Sequence, residues 1–388
     1  MLLARIVAGP GDPQPASVTA ISVTAASTAP VLRSLIGLPR PGPSAVSRSA
    51  FLSPLARPYG NGMRVLILGG TRFIGRRITA ALMARGDDVT VVHRGDHEPA
   101  ELAGCAHLHT PRSEFGTLAD QVRALRPDAV IDTLAMTRAD ASAVLPHLPD
   151  TNLVLLSSID VYRAYELLLA GQGGEPVPIT EESPVRKGRY PLRDLLPGIG
   201  EHYDKLDVEP SYLARGGAVL RLSMIYGEHD GQRREEFILR RVRAGRRQIP
   251  AGAGTTLDTR CYVGDVASAV LAALDQPAVA AGQVFNVGDL ATDTALDYAR
   301  RILAAAEHEA SLVTVPEELV PEDMEATKAI AQHFLVDSRK AAAVLGWRPA
   351  DPAQTIPVSV RWHLENPPED PDQDFSPDDR ALAAAGKP

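Results

Sequence analysis

The sequence predicts an α/β fold, a doubly wound parallel sheet with a smaller C-terminal lobe attached. Two observations carry that expectation. Short apolar runs alternate with amphipathic stretches along most of the chain, the pattern of buried parallel strands and the helices that cover them. The first run, "MRVLILGG" at 63–70, has no alternation of polar residues and ends in two glycines. A strand buried on both faces and followed by a tight turn reads this way.

After that strand, "RRITAALMARGDD" places Ile78, Leu82 and Met83 on a helical face and stops at Gly86. "DVTVVHRG" is the second strand, "TLADQVRALRPD" a helix, "AVIDTLA" a strand, "ADASAVLPHLP" a helix and "TNLVLLSS" a further strand. Two later strands are predicted in "GAVLRLSMIYG" and "GQVFNVGD", with the helix "VGDVASAVLAALDQP" between them and Asp265 expected as its cap. Residues 163–199 and 227–257 read as long irregular insertions. Loops of such length are usually functional, and ligands of doubly wound sheets bind beyond the carboxyl ends of the strands. The insertions are therefore expected to shape a substrate pocket.

The composition, 45% apolar and 23% charged, is that of a soluble globular protein, and no apolar run reaches the length of a membrane span. Two cysteines, Cys105 and Cys261, exclude a disulfide framework and fit a reducing, cytoplasmic setting. A net charge of −8 argues against general affinity for nucleic acid. The charge is uneven, since residues 1–62 carry +4 and the remainder −12. That leader is rich in Ala, Ser, Pro and Gly and is expected to be disordered. Its repeated prolines interrupt any amphipathic transit helix, so Met63 is expected as the natural start. Residues 366–388, acidic and Pro-rich, are expected to form a flexible tail.

The turn "LGGTRFIGRR" carries the first chemical signal. Its frame runs Gly70, Thr71, Arg72, Phe73, Ile74, Gly75, a G-x-G-x-x-G pattern with Arg72 in the middle glycine position. Gly69 and Gly70 permit a tight turn and Gly75 close packing of helix on strand, so that helix N–H groups face a pyrophosphate. The alternative is a tight βα turn with no ligand. At the end of the second strand, where an acid would hold the ribose hydroxyls of NAD, stand His93 and Arg94. An arginine there suits a 2′-phosphate, with Arg72 near enough to assist, and the expected coenzyme is NADP rather than NAD.

With "LLSSIDVY", "YDKLDVE", "LRLSMIYG", "TRCYVGDVASAV", "FNVGD" and "LGWRP", the chain from Met63 to about Asn366 resembles the extended and atypical short-chain dehydrogenase/reductases, the NAD-dependent epimerase/dehydratase family. The resemblance implies a Rossmann-type coenzyme domain over 63–222 and 258–306 and a substrate-binding lobe over 223–257 and 307–365. It implies oxidation or reduction of a hydroxyl or keto carbon on a small polar substrate, a nucleotide sugar being one candidate, and a homodimer as the family habit. It places Leu134, Ser157 and Met224 against coenzyme, and Tyr162 and Arg260 toward substrate. Arg260 is equally compatible with a surface ion pair, and Tyr162 with packing beneath the site.

The family uses Ser, Tyr and Lys. Ser158 matches the hydroxyl and Lys205 the lysine, but the tyrosine position, four residues before the lysine, holds Glu201. On a regular helix positions four apart share a face, so Glu201 would face the site and Tyr203 would point away. Three arrangements remain open: Glu201 as general base, Tyr203 reaching in from a helix that begins late, or a site that binds coenzyme without turnover, as in a redox-sensing or RNA-associated protein. Tyr190 is a remote further candidate. His93 and His97 lie four apart with no third ligand at local spacing, so no metal is expected. The basic run at 233–247 is expected to be a solvated helical face with internal Glu–Arg pairs.

Overall fold

The computed structural model describes residues 62–193 and 201–386. Strand β1 (Arg64–Leu68) leads into α1 (Phe73–Arg85), β2 (Asp88–His93), β3 (Ala106–His109), α2 (Ala119–Leu125), β4 (Ala129–Asp132) and α3 (Arg138–Val144). Then come β5 (Asn152–Ser158), α4 (Arg163–Leu169), α5 (Lys205–Leu213), β6 (Ala218–Leu222), β7 (Met224–Tyr226), α6 (Glu236–Arg243) and β8 (Gln248–Ala251). They are followed by β9 (Arg260–Tyr262), α7 (Val263–Asp275), α8 (Pro277–Ala280), β10 (Val284–Val287), α9 (Ala295–Ala305) and β11 (Ser311–Thr314). The last helices are α10 (Arg339–Val344), α11 (Pro352–Glu365) and α12 (Ser376–Ala385).

Seven strands make one parallel sheet in the order β3-β2-β1-β4-β5-β6-β10. Side chains alternate between its faces. Val65 and Ile67 of β1 join a core with Ile78 and Leu82 of α1 and Val266 and Val270 of α7. Leu66 and Leu68 join another with Val122, Val144, Val208 and Tyr212. Helices therefore cover both sides, which is why β1 carries no polar alternation. Leu68 is registered with Val92 of β2 on one side and Asp132 of β4 on the other. The strand order reverses between β1 and β4, and at such a reversal the connecting loops part to leave a crevice at the carboxyl ends. Outside this sheet, β7 pairs with β9 and β8 with β11, both in parallel.

Several expectations change. The irregular insertions hold structure: α4 lies in the first, and α6 and β8 in the second. β3, "AHLH", was absent from the predicted elements because alternate histidines give no apolar run. Asp265 sits in the first turn of α7, accepting from the Ala350 amide at 3.0 Å, and does not cap it; Tyr262 holds that position. The basic run is only partly solvated. Arg243 does pair with Glu236, but Arg241 is fully buried between Asp323 and Asp378. Asp378 belongs to α12, so the end of the expected flexible tail is a helix pinned to α6 by a buried ion pair. The leader, residues 1–61, lies outside the described residues.

Candidate active site

The turn from β1 to α1 is built for close approach. Gly69 adopts φ +88°, a left-handed conformation that glycine takes without penalty. A Cβ on Gly75 would stand 2.0 Å from the Gly69 carbonyl oxygen, so only glycine lets the helix start this near the strand. Thr79 Oγ1 donates to the Gly70 carbonyl at 3.0 Å and fixes the turn from inside the helix. Thr71 is buried, and Phe73 and Ile74 are half-buried against the core on the α1 side. Arg72 occupies the cap position with no side-chain cap bond, and the first turn of α1 holds no acid. Its leading N–H groups thus have no capping side chain and no acid within their own turn, which fits a pyrophosphate.

At the end of β2, Arg94 pairs with Asp96 at 2.9 Å, and Arg72 approaches the same carboxylate at 4.0 Å. Two guanidiniums therefore converge on one carboxylate. His93 is buried, and its pKa is lowered to about 4, first by burial and then by His109 and His107. Across the crevice, Leu134 is 42% exposed and lies over Gly69, where a Cβ would meet its side chain. The loop carrying Leu134 is held by Asp132, which accepts from the Leu134 and Ala135 amides and is clamped by Arg112 and Tyr212.

The proposed catalytic residues separate. Helix α5 begins at Lys205, with Asp204 as its cap accepting from the Leu206 amide at 2.9 Å. Asp204 is locked by Arg186 through two bonds and by the Tyr190 amide. Glu201 therefore precedes the helix, its side chain 61% exposed, and the four-residue spacing to Lys205 has no geometric meaning. The premise that it faces the site is corrected. The sequence signal for the late start is Asp204, a residue type that favours the N-cap.

Tyr203 is the residue that turns inward. It is fully buried and donates to Asp160 Oδ2 at 2.5 Å. Asp160 had not been singled out; its signal was an acid two residues after Ser158 within an apolar turn. Ser158 ends β5, and its hydroxyl accepts from the Asp160 amide at 3.2 Å. Burial raises the pKa of the Asp160 carboxyl, against the lowering pull of Arg186, Tyr203, Ser158 and Lys205. The Tyr203 hydroxyl is pushed well above its ordinary value by burial and by Asp160. Lys205 Nζ, also buried, donates to Ala135 O at 2.7 Å and Leu156 O at 3.0 Å, and burial lowers its pKa to about 8.

Other expected contacts lie deeper. Ser157 donates to Glu209 at 2.5 Å, and Glu209 pairs with Arg221, so its hydroxyl serves the α5–β6 packing. Tyr162 donates to Asn286 at 2.6 Å beneath the Arg221 guanidinium and is fully buried; it packs under the site and is closed to substrate here. Met224 is buried in β7. Arg260 is no surface residue. It stacks on the Tyr298 ring at 3.8 Å beside Asp258, in a recess shared with Tyr226 and Asp289. Burial raises Asp289 to about 8 and Asp258 to about 6.

The model of the NAD dependent epimerase/dehydratase family matches residues 65–149 and 209–288. The chain is 26% identical over 307 residues to the chloroplast stem-loop binding protein of 41 kDa b of Arabidopsis thaliana, across 74% of this chain and 75% of that protein. It is 29% identical over 197 residues to the 2′-dehydrokanamycin reductase of Streptomyces kanamyceticus, across 47% of this chain and 49% of that protein. Among solved structures, UDP-glucose 4-epimerase of Thermotoga maritima with UDP-glucose superposes with a TM-score of 0.57 at 18% identity, over 78% of this chain and 99% of that one. The dTDP-glucose 4,6-dehydratase of Bacillus anthracis in complex with NAD gives 0.59 at 16% identity, over 79% and 97%. At such identities the structures speak for the fold, while the family match spans the glycine turn and the strands that form the crevice. Over residues 65–149 and 209–288 the chain matches the NAD-dependent epimerase/dehydratase family.

Proposed function

We propose that the protein is a nicotinamide-dinucleotide-dependent oxidoreductase acting on a hydroxyl or keto carbon of a small polar substrate, with NADP preferred to NAD. The observation that carries this reading is the crevice itself: an uncapped, acid-free α1 start over a glycine turn, flanked by Arg72 and Arg94. The coenzyme's diphosphate would lie on the α1 N–H groups, and a 2′-phosphate would replace Asp96 between the two guanidiniums. Bound there, the nicotinamide ring supplies hydride exchange. Sugar nucleotides are the substrate class suggested by the solved neighbours, one of which was determined with UDP-glucose.

For the proton, Asp160 takes the place that the family pattern gives to a lysine-activated tyrosine. A buried carboxyl whose pKa is raised holds a proton more readily than an exposed one, which suits it to proton exchange. Tyr203 hydrogen-bonds that carboxyl and Ser158 stands beside it, so the three form one relay, while Lys205 supplies positive charge from the facing side. Glu201 has no part in it. In assays of coenzyme with sugar nucleotides and ketones, Asp160→Asn is expected to lower kcat by roughly 10²–10⁴-fold, the span of general acid–base catalysis. Glu201→Gln should leave the rate within about twofold, since it removes no such contribution.

A second reading, coenzyme binding without turnover, is favoured by the full burial of Ser158 and Tyr203 and by the stem-loop binding relative. Saturable coenzyme binding with no turnover across those substrates would replace the enzymatic reading with this one.

A further inference from the structure

We propose that His93, Glu98, His107 and His109 form a binding site for one divalent transition-metal ion, Zn²⁺ being the best match. The site lies at the carboxyl ends of β2 and β3, and it follows from strand geometry. His107 and His109 are two apart in β3 and so project to one face, and His93 of β2 is the register partner of His109. The segment after β2 then returns Glu98 to the same point. One ligand atom from each of the four lies within 4.8 Å of all the others.

The contacts bracket what an ion requires. His93 Nε2 is 2.9 Å from His107 Nδ1, His109 Nε2 is 2.5 Å from Glu98 Oε1, and His93 Nε2 is 3.5 Å from that same oxygen. Tetrahedral zinc with bonds of about 2.0–2.2 Å holds its ligand atoms roughly 3.3–3.5 Å apart, so shifts of under about 1 Å complete the shell. Three imidazoles with one carboxylate select zinc and its neighbours over magnesium or calcium, which take oxygen. His107 is ready oriented: with Nδ1 on the metal, its Nε2–H points at the Leu102 carbonyl, 3.2 Å away, the outer partner a ligating histidine needs. Cys105 donates to the same carbonyl at 3.1 Å and stays outside the shell.

His93 must change most. The Gly95 amide donates to its Nδ1 at 3.1 Å, so the neutral ring now carries its proton on Nε2, directed at His107. Ligation through Nε2 moves that proton to Nδ1 and turns the Gly95 amide away. Gly95 sits at φ +86°, where glycine has freedom to make the turn. Entry is open, because the His109 and Glu98 side chains are 51% and 43% exposed.

The test uses the full chain free of any affinity tag, stripped with chelator, and titrated with ZnCl₂ by calorimetry and with CoCl₂ by visible absorption. The expected result is one ion per chain, with Co²⁺ developing the intense d–d bands of a tetrahedral site, and a thermal midpoint that rises with Zn²⁺. His109→Ala, at an exposed position, should keep the wild-type circular dichroism. It should weaken Zn²⁺ binding by at least the roughly 10–100-fold that loss of an outer-shell partner alone costs. No saturable uptake of either ion, or equal uptake by the wild type and a folded His107→Ala/His109→Ala variant, overturns the proposal.

Discussion

Lys205 shows how burial sets a charge. Its ammonium has two carbonyl partners, Ala135 and Leu156, and no carboxylate in direct contact among the described residues, so burial outweighs the pull of Asp160 and Asp132 and lowers its pKa to about 8 from 10.5. Between those two values the unfolded chain holds a proton that the folded chain has released, and stability from this group rises with pH. Below about pH 8 the charge is present in both states and the cost of burying it is fully felt. Wild type should therefore gain stability relative to Lys205→Met as pH is raised from about 8 toward 10.5, measured by urea melts at each pH. A difference independent of pH would mean that the lysine is solvated. Ser158 and Lys205 were legible because their spacing matches a familiar pattern. Asp160 was not, because what makes it notable is burial beside Tyr203, which comes to it across 43 positions of chain.

Helices α6 and α12 show the same limit between elements. Arg241 is fully buried, bonded to Asp323 and Asp378, and Arg240 stacks over Phe375 at 4.5 Å. Removing one member of such a group leaves a buried charge without its partner. Arg241→Ala, which strands Asp378, is expected to destabilise by about 3–5 kcal/mol. Asp378→Ala leaves Asp323 in place, and its cost is that of lost charge-assisted bonds, about 1.5–3 kcal/mol. Urea midpoints that fall in this order at constant slope support the anchor, and unchanged midpoints refute it. The sheet was readable because each strand's apolar run is local. A basic run or an acidic tail is not, since whether it is solvated depends on partners more than 80 residues away. β3 escaped for a related reason: its alternate histidines give no apolar run, and its place in the sheet comes from pairing with β2.

These parts meet at the crevice where the sheet reverses. β1 and α1 bring the glycine turn with Arg72, the end of β2 brings Arg94, and the loop after β4 brings Leu134, held by the Arg112–Asp132–Tyr212 clamp. Ser158 closes β5, Asp160 and Tyr203 meet just after it, and the relay proposed for these three requires a coenzyme across that opening. Titration of the folded full-length chain with NADPH and with NADH, followed by nicotinamide fluorescence, tests this most directly. The expected result is saturation at one coenzyme per chain, tighter for NADPH, with Arg94→Ala bringing the two affinities together. Fluorescence that fails to saturate with either coenzyme would contradict it, and the relay would then have no hydride chemistry to serve.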